Sequence, residues 1–237
     1  MVSPAVIKDP NTKELSGIFI DTMREIGRRL SLEVEFTEEV GWSEMIAGLN
    51  AGRYEIISTQ VWPNAARSRE AAFSEPLYYT PIGIYVRANE HRFDNNIAAL
   101  NSESIRVGGI DGASSLIIGS TDFPLAKQVK LPGNAQTDQQ FLDVVAGKAD
   151  VVFLDTFQGE EFIKNNPNSL RNLVPDRPIR VFPDTFMVKR DEYHFLNMIN
   201  TTLGELDNSG FLDKTIDKYA GNPKALARRA HGYRLTH

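Results

Sequence analysis

Arg67 stands six residues before the aromatic turn Phe73-Ser74-Glu75-Pro76, a fixed cation in an otherwise acidic chain. A guanidinium presents a planar fork of donors that matches a carboxylate in two parallel bonds, and it keeps its charge near neutral pH. A bound anion is one reading of Arg67, and a solvated arginine is the other. The run Gly112-Ala113-Ser114-Ser115, between a predicted strand and a predicted helix, would aim backbone N–H groups and a hydroxyl at an anion, because a helix start carries unpaired donors and partial positive charge. Capping of the helix by Ser114 is the alternative. Asp155 follows the apolar run Val151 to Leu154, at a strand end where its carboxylate could hold an ammonium group or cap the next helix. Trp42 and Trp62 offer large apolar faces near the same predicted strand ends, to a ligand or to the core.

Other chemistries are excluded more firmly. His91, His194, His231 and His237 are scattered and share no helical face, and no His-Glu-x-x-His run exists, so no catalytic zinc site is expected. Gly108, Gly109 and Gly112 make half of a nucleotide loop, and Gly147-Lys148 is followed by Ala149 instead of Ser or Thr, so no nucleotide cofactor is expected. The absence of cysteine removes disulfides, thiolate metal sites and a cysteine nucleophile. With 26 basic against 31 acidic side chains the formal charge is −5, which argues against nucleic acid as a partner. The basic cluster Lys224, Arg228, Arg229 and Arg234 reads as a solvated tail. No run of eighteen apolar residues suggests a membrane span, and Met1-Val2-Ser3-Pro4 does not open a signal peptide, so an exported protein would be represented in processed form.

The elements that must position these residues alternate. Apolar positions 19, 23, 26, 27 and 30 follow the helical period with Asp21 placed to cap the start, and Leu32, Val34 and Phe36 then alternate like a strand. Trp42, Met45, Ile46 and Leu49 predict a second helix closed by Gly52, and Tyr54, Ile56 and Ile57 a second strand. The pattern breaks over 58 to 84 and resumes with Ile84, Val86, Ile105 and Val107. A short helix, an extended piece at 127 to 131, a helix carrying Phe141, Val144 and Val145, and a strand over 150 to 154 complete a second unit. A polar, proline-rich stretch at 165 to 184 precedes helices through Phe195 to Leu206 and Phe211 to Tyr219. This α/β alternation calls for mostly parallel sheets flanked by helices, and the 237 residues allow one large domain or two lobes of roughly 100 to 120 residues. Ligands of such folds bind at strand ends and between lobes.

Taken in order, Leu15-Ser16-Gly17-Ile18-Phe19-Ile20-Asp21, Trp42-Ser43-Glu44-Met45-Ile46 with Leu49, Gly52 and Tyr54 to Ile57, the Arg67 to Pro76 spacing, and Gly147 to Asp155 resemble the type II periplasmic binding proteins, in particular the bacterial extracellular solute-binding proteins of family 3. The resemblance covers nearly the whole chain. It implies a two-lobed α/β fold with two hinge crossings, lobe 1 from 1–82 and 187–237 and lobe 2 from 83–186. It further implies that Arg67 binds a ligand's α-carboxylate, assisted by the turn from Gly112 to Ser114, and that Asp155 binds the α-amino group. Trp42 would stack on the ligand, with Thr59, Gln60 and Trp62 lining the amino-group side. The expected role is capture of an amino acid or related carboxylate in the periplasm. Delivery to an ABC importer permease in the inner membrane would follow, by a monomeric receptor without cofactor, metal or catalytic activity.

The chain departs from that pattern. Gln60 and Trp62 stand where small or hydroxylated residues are usual, Pro63-Asn64 replaces a Thr-Pro pair, and Ala113 replaces a Ser or Thr. The indole of Trp62 would fill volume and offer one donor, so a reshaped pocket is expected. The strand that normally precedes the segment matching Ser3-Pro4-Ala5-Val6 is also missing. A sensory ectodomain is a neighbouring alternative. A cyclohexadienyl dehydratase-like enzyme is another, which would need a poised acid; Glu160 and Glu161 fall on a helix face expected to be exposed, and Gln158 is no acid.

Overall fold

The structure, a computed structural model, describes residues 3–220 and 226–229. In chain order the elements are β1 (Ile7–Lys8), β2 (Leu15–Ser16), α1 (Ile18–Leu30), α2 (Met45–Asn50), β3 (Ile56–Val61), a 3-10 turn at Arg67–Arg69, β4 (Ala71–Phe73) and β5 (Tyr78–Arg87). A 3-10 turn at Ile97–Leu100, β6 (Arg106–Ile110), α3 (Ser114–Asp122), β7 (Lys127–Leu131), α4 (Asp138–Val145), β8 (Val152–Asp155) and α5 (Thr156–Asn165) follow. β9 (Leu170–Asn172), β10 (Arg180–Lys189), α6 (Tyr193–Asn208) and α7 (Phe211–Ala220) complete the order. The chain divides into two compact units. The Arg67 unit contains Pro4–Glu35, Glu55–Thr80 and the described residues from Phe182; the Asp155 unit contains Phe36–Tyr54 and Pro81–Val181. Between these segments the chain passes from one to the other at Glu35–Phe36, at Tyr54–Glu55, inside β5 at Thr80–Pro81, and inside β10 at Val181–Phe182. Residues 36–54, expected with the first lobe, pack with the middle of the chain, where the Trp42 N–H donates to the Gly133 carbonyl at 3.2 Å.

In the Arg67 unit, α1 lies against β3, α6 and α7. Its buried face delivers Phe19 edge-on to Tyr78 and Phe186, with ring centroids 6.0 and 5.0 Å apart. Asp21 does not cap α1: Gly17 holds the N-cap position, and Asp21 accepts from Lys218 Nζ at 2.8 Å and the Tyr219 hydroxyl at 2.6 Å. Residues 32–36 form no strand. α1 ends with Ser31 in the left-handed conformation and the Leu32 N–H returned to the Gly27 carbonyl, so the chain doubles back and seats Val34 over Gly27 instead of entering a ladder. β10 runs antiparallel to β3, pairing Thr185 with Val61 and Met187 with Ile57, and antiparallel to β4. Ala227 bridges to Tyr79, and Arg228 pairs with Asp213 at 2.6 Å and with Asp217, so these two residues are tied to the fold and do not form a solvated tail. Lys224, Arg234, His231 and His237 lie outside the described residues.

The Asp155 unit holds the one parallel ladder among the named strand pairs of the described residues, β6 with β7 joined through α3, and a parallel bridge from Val107 to Val151 brings the start of β8 beside β6. β5 runs antiparallel to both β8 and β9. The expectation of mostly parallel sheets is therefore corrected. A helix between two strands returns the chain to run parallel, whereas β5 and β10 carry the chain between units and their neighbours run back against them. One core cluster of this unit is Tyr85, Phe141, Val144, Ala149, Val152, Leu154, Phe162 and Leu170.

Tyr85 passes so close over α5 that a Cβ on Gly159 would lie 2.0 Å from its Cζ, and its buried hydroxyl has no hydrogen-bond partner. Gly159→Ala is expected to cost about 1–3 kcal/mol by overpacking, whereas Tyr85→Phe, which removes an unpaired buried hydroxyl, should leave stability unchanged or raised. Urea titration of both variants checks the pair of signs.

Candidate functional site

In the Arg67 unit the site residues gather at the C-terminal end of β3. Thr59 and Gln60 lie in the strand, and Gln60 Oε1 accepts from the Tyr78 hydroxyl at 3.3 Å. Past Val61 the chain leaves the ladder, and Asn64 starts the next turn by accepting the Arg67 backbone N–H on its Oδ1 at 2.9 Å. This places Arg67 at the head of the 3-10 turn, only 9% exposed, with one guanidinium nitrogen donating to the Trp62 carbonyl at 2.8 Å. Burial pulls its pKa down to about 10, so the cation persists at neutral pH.

Trp62 is where the structure refines the sequence reading. Its single donor is not offered outward: Nε1 donates to Asp184 Oδ1 at 2.7 Å, and the ring stacks on Phe182 with centroids 4.9 Å apart and planes 14° from parallel. Asp184 is fully buried and its Oδ2 accepts from the Thr80 hydroxyl at 2.6 Å. Sequence reasoning missed Asp184 because it was assigned to the polar stretch before the last helices. An acidic residue at the head of the apolar run Phe186-Met187-Val188 was the available signal.

In the Asp155 unit, β6 and β8 point their carboxyl ends the same way, which puts the turn after β6 and Asp155 on one edge. Gly112 has φ +78°, and a Cβ there would stand 3.0 Å from the Ser43 nitrogen and 3.2 Å from the Trp42 carbonyl carbon. Only glycine suits both the left-handed backbone and that approach. Trp42 is half-buried beside this turn and lies outside α2. The capping alternative for Ser114 does not hold: Ala113 occupies the N-cap in an extended conformation, no side chain caps it, and half-buried Ser114 is the first residue of α3. Ser115 instead turns inward, donating to the Gly108 carbonyl at 2.7 Å.

Asp155 does cap α5, accepting the Gln158 N–H on Oδ1 at 2.7 Å. It is 3% exposed, and burial pushes its pKa up to about 7 against the opposing pull of the Gln158 N–H. Glu160 and Glu161 are exposed on α5. Among the described residues no group of His, Cys, Asp or Glu is arranged to hold a metal ion, and no helix is long and apolar enough to cross a membrane.

The architecture defines a two-lobed α/β binding protein. The ancestral amino acid-binding protein AncCDT-1, described as a precursor of cyclohexadienyl dehydratase, superposes with a TM-score of 0.76 at 22% identity, over 92% of this chain and 91% of its own. The sequence profile of the bacterial extracellular solute-binding proteins, family 3, matches residues 2–222, and the chain belongs to that family. A probable amino-acid ABC transporter-binding protein of Haemophilus influenzae is 26% identical over 92% of this chain and 81% of its own length. The L-cystine-binding protein TcyA of Bacillus subtilis is 25% identical over 92% and 77%.

A carboxyl whose pKa rises on folding favours the folded state most when protonated, so Asp155 should subtract stability progressively from about pH 4 to about pH 7 and by a constant amount above. Asp155→Asn keeps an N-cap and removes the buried charge. Its melting temperature should exceed that of the parent at pH 8, by the equivalent of about 2–4 kcal/mol, and match it at pH 4; thermal unfolding at both pH values reads the difference.

Proposed function

We propose that the protein captures a small carboxylate-bearing solute, an amino acid or a derivative of one, in the periplasm and delivers it to an ABC-type importer in the inner membrane. The observation that carries this reading is Arg67: a guanidinium almost fully withdrawn from water yet still charged, in a chain of a solute-binding family. Removing a cation from water is costly unless the site is built for it, and a planar fork suits a carboxylate. In this reading Arg67 clamps the carboxylate while the turn at Gly112 and the uncapped start of α3, with Ser114, supply further donors. Asp155 takes the ammonium group, Trp42 stacks on the solute, and Thr59 and Gln60 line the amino-group side. Trp62 serves as a wall and not as a donor, since its N–H is committed to Asp184. The amino-acid class and the importer are supported by the names of the relatives from H. influenzae and B. subtilis.

A second reading, elimination of water from a prephenate-like acid, is favoured by one observation: Asp155, poised at about 7, is the acid that such chemistry requires. The binding reading is preferred because Arg67 and the α3 start recognise a carboxylate without any bond being broken. Incubation with prephenate or arogenate is expected to give no product, and turnover would reverse the preference.

A thermal-shift screen over amino acids, their derivatives, organic acids and polyamines should return stabilisation by carboxylates, since a solute that binds only the folded chain raises its melting temperature. For the solute so found, Arg67→Ala should weaken calorimetric affinity by roughly 2 to 5 kcal/mol, thirtyfold and upward. Stabilisation by polyamines or neutral sugars alone would sink the assignment. For an amine-bearing solute, affinity should fall about tenfold from pH 8 to pH 6 as Asp155 takes up its proton, and Asp155→Asn should abolish that dependence.

A further inference from the structure

We infer that Asp184 is a positioning residue for the Arg67 guanidinium, acting through Trp62. The inference rests on the binding role given to Arg67, but its structural half stands on contacts within the Arg67 unit alone.

Trp62 is the first residue beyond β3. Up to Val61 the backbone is fixed by the ladder to β10, where Thr185 pairs with Val61 and its hydroxyl donates to the Val61 carbonyl at 2.9 Å. Beyond that point no strand pairing sets the direction of the Trp62 carbonyl, the group that accepts from Arg67 at 2.8 Å. Two other constraints do. Pro63 follows, and a residue before proline is restricted to extended conformations, which narrows the ψ angle that aims the carbonyl. The indole is held at two places, by the Nε1 bond to Asp184 at its edge and by the Phe182 ring on its face, which fixes the Cα–Cβ direction. With side chain and ψ both fixed, the carbonyl points where the guanidinium needs an acceptor.

Asp184 is itself locked. Its Oδ2 accepts from the Thr80 hydroxyl, and its backbone carbonyl accepts the Leu77 N–H at 2.9 Å. The line of contact therefore runs from a fully buried carboxylate on β10, through the indole and its own backbone carbonyl, to Arg67. Asp184 never needs to touch the solute. A buried indole N–H also requires an acceptor, so a tryptophan at this position calls for a group like Asp184 opposite it.

The test uses arginine-labelled protein and reads the Nη1–H signal of Arg67, the group that donates to the Trp62 carbonyl, identified by its loss in Arg67→Lys. In the parent this proton should exchange slowly. Trp62→Phe keeps the ring on Phe182 but removes the donor, and Asp184→Ala removes the acceptor; each should speed exchange at least tenfold, and the double variant no further. Asp184→Asn, which retains an acceptor oxygen, should restore parent-like exchange. Unchanged exchange in Trp62→Phe, or additive acceleration in the double variant, would overturn the inference. If Asp184→Ala does not fold, Trp62→Phe against Asp184→Asn still decides.

Affinity for L-cystine, L-arginine and L-glutamine, used as probes, gives the functional arm. For any probe that binds the parent, Trp62→Phe and Asp184→Ala should each lose about tenfold without compounding, and an unchanged affinity in both would remove the positioning role. If no carboxylate of the thermal-shift screen binds the parent, the proposed function fails while the exchange measurement still settles the contact line.

Discussion

The structure around the candidate site turns on keeping a guanidinium charged while almost all of it is out of water. Desolvation pulls Arg67 down only to about 10, which leaves the cation intact, so its N–H groups must be met by fixed acceptors. That requirement explains local features that would otherwise look unrelated. Asn64 draws the Arg67 N–H into a tight turn, and the Trp62 carbonyl is presented to the guanidinium. β3 ends one residue earlier, freeing that carbonyl from the ladder. A longer β3 would take the carbonyl into sheet pairing and leave the cation to find another acceptor.

Asp155 answers the same constraint in the opposite way. Its carboxyl is as deeply buried, but a carboxyl can give up its charge, and burial raises it to about 7 even though a helix N-terminus favours the anion. One unit thus holds a permanent charge and the other a conditional one.

Legibility in the sequence followed the physics of each element. α1, α4, α6 and α7 were readable because their apolar stripes repeat at the helical period over several turns. The strand read at Leu32, Val34 and Phe36 was not there: alternation alone cannot tell a ladder from a chain folding back over Gly27, and three residues are too few to decide. Ladder direction was lost for a different reason, because β5 and β10 each serve both units, and that long-range fact leaves no periodic trace. Arg67, Gly112 and Asp155 stood out in the sequence by residue type and position, and the structure buries the first and third and gives Gly112 a left-handed backbone. The division of labour between Ala113, Ser114 and Ser115 was not legible, since it depends on which of three adjacent residues turns inward.

Trp62 shows how a bulky side chain is accommodated within one unit. Its indole brings bulk and a donor that cannot be left buried and unpaired. The bulk is taken up by stacking on Phe182, and the donor by Asp184, whose second oxygen is satisfied by Thr80. The indole depends on Asp184, because without it a buried donor would be short of an acceptor. The four side chains therefore form one interdependent group, and its outer edge is the carbonyl that holds Arg67. A change at Trp62 would therefore reach the carbonyl that accepts from Arg67.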